Sequence, residues 1–127
     1  MESLLAVVEG VVVLDWEPLA AEAVARWPGS AFVRAAGPRA RLSFGQLRLT
    51  DRDVEDRLLV SLLTGGDGMR LEGDEDLASS FVAWVTGRPG FPDGGSVVLV
   101  DWADEPYPLR PGTTAEELRA AFVAWPP

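Results

Sequence analysis

The 127-residue sequence contains no cysteine and no histidine, and its eleven basic residues are all arginine because lysine is also missing. Ser-His-Asp and Cys-His catalysis needs an imidazole, and a Ser-Lys dyad or Schiff base needs an amine, so these mechanisms are excluded. A phosphate-binding P-loop needs a Gly-Lys pair and is excluded too. Zinc sites built from thiolate and imidazole cannot form, which leaves carboxylates as the remaining metal ligands.

Long hydrophobic runs are also missing. The longest apolar stretches, at 4–8, 11–14 and 97–100, are far shorter than the ~20 residues that a membrane-spanning helix requires. Glu2 stands where a signal peptide carries positive charge, and Glu9 interrupts the apolar stretch that follows. We therefore expect a soluble cytoplasmic protein with no secretory leader and no membrane contact.

A hydrophobic fraction of 47% in 127 residues is enough for one ordered core. We therefore expect a single domain over residues 1–127.

Charge is unbalanced and segregated along the chain, with a net value of −9. Residues 23–50 hold five arginines and no acid, whereas residues 51–76 hold nine acids against three arginines. An acidic protein repels phosphate backbones and attracts basic proteins, so we expect no nucleic-acid partner and a basic protein partner. Solubility alone is the simpler explanation of the same charge.

The periodicity of apolar residues predicts an α+β fold, a sandwich of a mixed, mostly antiparallel sheet with about four helices. A slip in the apolar alternation at Gly45 predicts a β-bulge. The stretch 3–16 is consistent with one strand or with a hairpin turning at Glu9-Gly10. Strands are predicted at 3–16, 30–34, 40–50, 69–72, 96–102 and 107–110. Helices are predicted at 17–27, after a Thr50–Asp53 capping box up to residue 63, after the acids at 74–76, and after a Thr114–Glu117 capping box.

An apolar run ending in Asp-Trp occurs twice, at Asp15-Trp16 and at Asp101-Trp102. A helix is predicted to start directly after the first Asp-Trp. After the second, a further arm of about eleven residues intervenes before the helix at Thr114, which argues against a duplicated unit. If the two strands were adjacent and parallel, Asp15 and Asp101 could hold Mg²⁺ or act as acid and base. The alternative is that each aspartate ends a strand or caps a helix and each tryptophan lies at the border of the core.

Two acidic clusters, at 51–56 and 72–76, lack the spacing of a calcium-binding loop. They can serve as helix N-terminal charges, as a docking surface for basic side chains, or as both. Trp102 lies with Tyr107 in the acidic segment DWADEPYP, a composition typical of interfaces, although a core position is an equal alternative. The tryptophans on predicted helices, at 27, 84 and 125, are predicted to lie in the core.

The C-terminal half contains FVAWV on a predicted helix, then SVVLVDW, then PYPLRPGTTAEEL leading into the last helix. This layout, in a small acidic chain without cysteine, resembles the immunity proteins of bacterial polymorphic toxin and contact-dependent inhibition systems. The resemblance implies a protein that binds a cognate toxin domain, often a basic nuclease, and blocks its active site or substrate groove. Such families share a role more than a sequence, so no residue role carries over by position.

The leading hypothesis is therefore a toxin-neutralising binding protein, not an enzyme, with no cofactor and no metal. The alternatives are an acidic secretion chaperone and a small carboxylate-dependent enzyme that uses Asp15 and Asp101. For the leading hypothesis, the candidate partner contacts are Asp74, Glu75, Asp76, Trp102, Asp104, Glu105 and Tyr107.

Overall fold

The computed structural model describes residues 2–7, 15–50, 57–64, 68–89, 91–92, 97–100 and 107–124, and their α+β content confirms the predicted class. Three α-helices lie in these ranges, one fewer than predicted. The strands are β1 (Glu2–Val7), β2 (Ala31–Arg34), β3 (Ser43–Thr50), β4 (Arg57–Leu63), β5 (Gly68–Gly73), β6 (Val97–Val100) and β7 (Tyr107–Pro108). The helices are α1 (Trp16–Arg26), α2 (Glu75–Thr86) and α3 (Ala115–Ala124), with a 3-10 helix at Gly37–Arg41.

The strands form one sheet in the order β2-β3-β4-β5-β1-β6-β7. Each neighbouring pair is antiparallel, so the described sheet is antiparallel rather than mixed. β5 and β6 lie on either side of β1 and both run opposite to it. They therefore run parallel to each other, and α2 connects the end of one to the start of the other.

Side chains alternate between a buried and a more exposed face of the sheet, as expected when one face is covered. Leu47, Val60 and Leu71 are cross-strand neighbours and fully buried. Arg48, which follows Leu47, and Arg70, which precedes Leu71, are exposed. The core thus lies between the helices and one face of the sheet.

Helix α1 presents Leu19, Ala20 and Ala23 to this core, as its periodicity predicts. Trp27, at its C-terminal end, is 6% exposed and packs edge-on against Trp84, with ring centroids 5.4 Å apart. Of the three tryptophans predicted to lie in the core, Trp27 and Trp84 therefore contact it, and Trp125 lies outside the described residues. Trp16 is the first residue of α1, and its indole nitrogen donates a hydrogen bond to the Leu63 carbonyl at 2.7 Å.

The helix predicted between the Thr50–Asp53 capping box and residue 63 is wrong, because residues 57–63 form β4 and Thr50 is the last residue of β3. Leu58 and Leu62 are buried on the helix-covered face, while Leu59 and Leu63 are half-buried on the other. A short strand that is apolar on both faces gives the same spacing as one side of a helix.

The predicted bulge is confirmed, since the β3–β4 register shifts between Ser43 and Gly45. A side chain at Gly45 would lie 2.6 Å from the Phe32 ring, so glycine is needed for this close approach.

Helices α2 and α3 pack antiparallel against each other. Near the end of α2, the Thr86 hydroxyl donates to the Thr113 carbonyl at 3.1 Å, just before α3 begins. Near the start of α2, Asp76 pairs with Arg119 of α3. Both helices have side-chain caps, since the Leu77 amide donates to Asp74 and the Glu117 amide donates to Thr114.

Candidate functional site

The predicted partner contacts that the structure describes lie near one end of the sheet. The register pairs Glu2 with Glu72 and Leu4 with Val100, so β5 and β6 finish at the end where β1 begins. Adjacent strands lie about 4.8 Å apart, so β5 and β6 finish roughly 10 Å from each other. We refer to this region as the acidic end, defined by Glu72, Asp74, Glu75, Asp76 and Tyr107.

The predicted contacts fall on two segments that both adjoin the acidic end. Asp74, Glu75 and Asp76 follow β5 directly and open α2. Tyr107 is the first residue of β7 and pairs with Leu99 of β6. Trp102, Asp104 and Glu105 lie outside the described residues, in a segment whose flanking positions, Val100 and Tyr107, are described.

The two residues that flank a third acidic stretch of the sequence, at 51–56, also lie at this end. Thr50, at the end of β3, pairs with Arg57, at the start of β4, and the Asp74 amide donates to the Arg57 carbonyl at 3.0 Å. Residues 51–56 themselves are outside the described ranges. Eleven of the twenty acids belong to the stretches that adjoin this end: Asp51, Asp53, Glu55, Asp56, Glu72, Asp74, Glu75, Asp76, Asp101, Asp104 and Glu105.

Sequence reasoning named the stretch at 51–56 as a possible docking surface but left it out of the contact set. Its position depends on the pairing of β3 with β4, and the apolar residues on both faces of β4 give no clean strand period from which that pairing could be predicted.

Of the described carboxylates of the acidic end, Glu75 and Asp76 are exposed, whereas Glu72 and Asp74 are half-buried. Asp76 lies 3.0 Å from the Arg119 Nε, with 76% and 44% of the two side chains exposed. Glu72 lies 3.4 Å from the Arg70 Nε, also near solvent. Exposed pairs of this kind contribute about 0–1 kcal/mol, so a partner can compete for either acid at little cost. Glu75 is exposed and has no ion pair within the described ranges.

Asp74 has a structural role as well as a charge. Its carboxylate accepts a hydrogen bond from the Leu77 amide at 2.8 Å, which satisfies one of the unpaired amides at the start of α2. Tyr107 is half-buried and packs against the core. The site therefore combines negative charge with an aromatic side chain held by a strand.

The proposed carboxylate pair requires adjacent parallel strands, and the described strands do not provide them. β1, the described strand that precedes Asp15, is antiparallel to β6, the strand that precedes Asp101. Asp15 is exposed at the N-cap of α1 without a side-chain cap bond, and the neighbouring Trp16 bonds Leu63 at the end of the sheet opposite the acidic end. Asp101 is outside the described ranges, within which no group of three or more acids could hold a metal ion.

A cavity of about 310 Å³ opens at the start of α3, away from the acidic end. The Thr113 hydroxyl in its wall donates to the Arg110 carbonyl at 2.7 Å and accepts from the Arg110 amide at 3.0 Å. These bonds close the turn before α3, so the hydroxyl is engaged in holding the backbone. The cavity is lined by Arg110, Pro111, Gly112, Thr113 and Glu117.

A scan against protein-family models and searches among curated proteins and solved structures found no match. None of the helices in the described ranges has the length and apolar character needed to cross a membrane.

Proposed function

We propose that this chain binds and neutralises a cognate basic toxin domain, and that the acidic end covers the toxin's active site or substrate groove. The observation that carries the proposal is that β3, β5 and β6 finish at one end of the sheet, and each is followed in the sequence by an acidic stretch. Tyr107, at the start of β7, supplies an aromatic side chain beside the charge. The proposal extends the predicted contact set to the stretch at 51–56.

Electrostatics favours this surface over the other acids of the chain. Like charges clustered at a surface produce a local field that speeds the approach of an oppositely charged partner. Elsewhere, Glu17 pairs with Arg34 and Glu22 pairs with Arg88. The Glu17–Arg34 pair is as exposed as the two pairs that the described ranges show at the acidic end, so pairing does not distinguish the surfaces. What distinguishes the acidic end is the run of acids at 72–76, in which Glu75 has no ion pair within the described ranges.

The partner for a direct test is the basic C-terminal domain of a large secreted protein encoded immediately upstream, the gene arrangement that the proposal predicts. The test variant, Asp74→Asn/Glu75→Gln/Asp76→Asn, removes three charges from the acidic end. Asparagine caps a helix about as well as aspartate, so α2 keeps its start.

The control variant, Asp15→Asn/Glu116→Gln/Glu117→Gln, removes three exposed acids that have no ion pair within the described ranges. Both variants change the net charge from −9 to −6. They therefore lose equal charge at different places, and the acidic-end variant also loses the exposed Asp76–Arg119 pair, which contributes about 0–1 kcal/mol.

The readout is growth of cells that produce the basic domain together with each variant at equal abundance. We expect the native chain and the control variant to restore growth and the acidic-end variant to restore much less. Equal protection by the two variants would show that the position of the lost charges does not matter and would contradict the proposed site. No protection by the native chain would contradict the function itself.

A further inference from the structure

The sheet has two edge strands, and they differ in how they are protected. β7 is two residues long, and one of them is Pro108, which has no amide hydrogen to offer a further strand. β2 has four residues, Ala-Phe-Val-Arg, without proline or lysine and without a bulge in its register with β3. Edge strands usually carry such protection because an unprotected one pairs with other chains.

The register shows which backbone groups of β2 face outward. The Ala35 amide donates to the Phe44 carbonyl at 3.0 Å, and the Thr50 amide donates to the Ser30 hydroxyl at 3.1 Å. In an antiparallel pair, the backbone amides and carbonyls of successive residues point alternately toward and away from the neighbouring strand. The two hydrogen bonds therefore indicate that the backbone groups of residues 31 and 33 point toward β3. Those of Phe32 and Arg34 therefore face away from the sheet, where no strand of the described ranges lies.

One exposed apolar side chain, that of Val33, lies on this edge strand. The large apolar side chains that are exposed in the described ranges are Val33, at 49%, and Leu42, at 79%, which lies between the 3-10 helix and β3. Val33 pairs with Gln46 on the face of the sheet that the helices do not cover. A partner strand would bury apolar surface here that the chain leaves in water.

Charge identifies the kind of partner. Residues 23–50, which include β2 and β3, hold five arginines and no acid, and the Glu17 of α1 that pairs with Arg34 does so through an exposed bridge that a partner can exchange. On the helix side of the edge, Arg34 and Arg26 are exposed near opposite ends of β2, because α1 runs antiparallel to the strand. Arg34 pairs with Glu17 and also lies over the Phe44 ring, 4.8 Å from its centre. A strand that fits would carry acids toward this side and apolar residues toward Val33.

A second copy of this chain fits less well. Two β2 strands paired around a two-fold axis would bring the Arg34 residues of both copies onto the same face within roughly 8 Å, where like charges destabilise the pair.

We propose that β2 is a docking edge that binds an extended segment of a partner protein with alternating acidic and apolar residues, which adds an eighth strand to the sheet. The backbone groups of Phe32 and Arg34 supply the pairing, Val33 the apolar contact, and Arg26 and Arg34 the charge preference. This surface is separate from the acidic end and does not depend on the proposed function.

The probe is a fluorescein-labelled peptide, Glu-Val-Glu-Val-Glu-Val, with Lys-Val-Lys-Val-Lys-Val as its charge-reversed counterpart. The test variant is Arg34→Pro, which removes an outward amide at a position where an edge strand tolerates proline. Arg34→Ala is the matched control, because it removes the same side chain and keeps the amide. Fluorescence anisotropy measures binding, and thermal melts show that both variants fold.

We expect the native chain to bind the acidic peptide at least about tenfold more tightly than the lysine peptide. Arg34→Ala should weaken this binding, and Arg34→Pro should abolish it. In the native chain, the peptide should slow hydrogen exchange at the amides of Phe32 and Arg34, a readout that needs no variant to fold. The acidic-end variant Asp74→Asn/Glu75→Gln/Asp76→Asn should bind the peptide as the native chain does.

Three results would overturn the proposal. The first is equal binding by Arg34→Pro and Arg34→Ala. The second is unchanged exchange at the two amides. The third is a native dimer in sedimentation that Arg34→Pro dissociates, which would assign the edge to a second copy.

Discussion

The junction between β5 and α2 depends on Gly73, and its substitution by alanine should be among the most destabilising changes of a glycine. Gly73 has a φ of +137°, which side chains rarely adopt, and an added Cβ would lie 2.2 Å from the Arg57 carbonyl oxygen. That oxygen is backbone and accepts the 3.0 Å bond from the Asp74 amide, so it cannot move away without breaking this link to the acidic end.

The cost of Gly73→Ala can be estimated from these two effects. Backbone strain of this kind costs about 1–3 kcal/mol. Loss of the displaced hydrogen bond adds about 0.5–1.5 kcal/mol. We therefore expect a loss of about 2–4 kcal/mol in the free energy of unfolding. Against a total of about 5–15 kcal/mol for a typical protein, this is a large fraction.

Gly37→Ala is the matched control, since Gly37 also has a positive φ, of +64°, but nothing lies within 4 Å of an added Cβ. It should cost about 1 kcal/mol through φ alone. Replacing glycine by alanine also lowers the conformational entropy of the unfolded chain, which stabilises the folded state. Both variants gain this stabilisation, so it cancels when they are compared. Urea denaturation with an unchanged m-value measures both. If Gly73→Ala costs no more than Gly37→Ala, the close approach at Arg57 does not constrain this junction as argued.

Two further predictions concern the contacts between α2 and α3. Thr86→Val should lower the free energy of unfolding by about 1–2 kcal/mol, because the buried Thr86 hydroxyl lies within hydrogen-bond distance of two carbonyls, Ala83 at 2.9 Å and Thr113 at 3.1 Å, and the variant removes its only hydrogen. Thr86→Ser should recover most of this loss in the same urea titration. Arg119→Gln should leave stability within about 1 kcal/mol, since its pair with Asp76 is exposed, yet it should raise the association rate with a basic partner by removing a positive charge from the acidic end. A slower association of Arg119→Gln would mean that the pair with Asp76 helps to form the binding surface.

Helices and turns were predicted from the sequence where local chemistry decides them. Pro18 and the stripe of Leu19, Ala20 and Ala23 identify α1, and Asp74 and Thr114 mark the starts of the other two helices. Caps and helical stripes involve residues within a few positions of each other, so they are visible in one sequence. The bulge at Gly45 was visible for the same reason, as a local slip in alternation.

Strand β4 was wrongly predicted as a helix because its strand conformation depends on pairing with its neighbours in the sheet. It lies between β3 and β5, and Leu59 and Leu63 are half-buried on the face away from the helices. A strand with apolar residues on both sides has no clean period of two.

The acidic end was predicted only in part, since the acids at 72–76 and around Trp102 were chosen for their local composition. That both segments adjoin one end of the sheet, together with 51–56, follows from the pairing of β1 with β5 and β6. Sequence spacing cannot supply that pairing.

The most direct test of the account is the association rate constant of the basic partner domain with the two charge-matched variants, measured by stopped flow at low and high ionic strength. Asp74→Asn/Glu75→Gln/Asp76→Asn should associate roughly tenfold more slowly than Asp15→Asn/Glu116→Gln/Glu117→Gln at low salt. The difference should shrink near 1 M salt, where the screening length falls to about 3 Å. Equal rate constants for the two variants at low salt would contradict the claim that the acidic end is the surface that meets the partner.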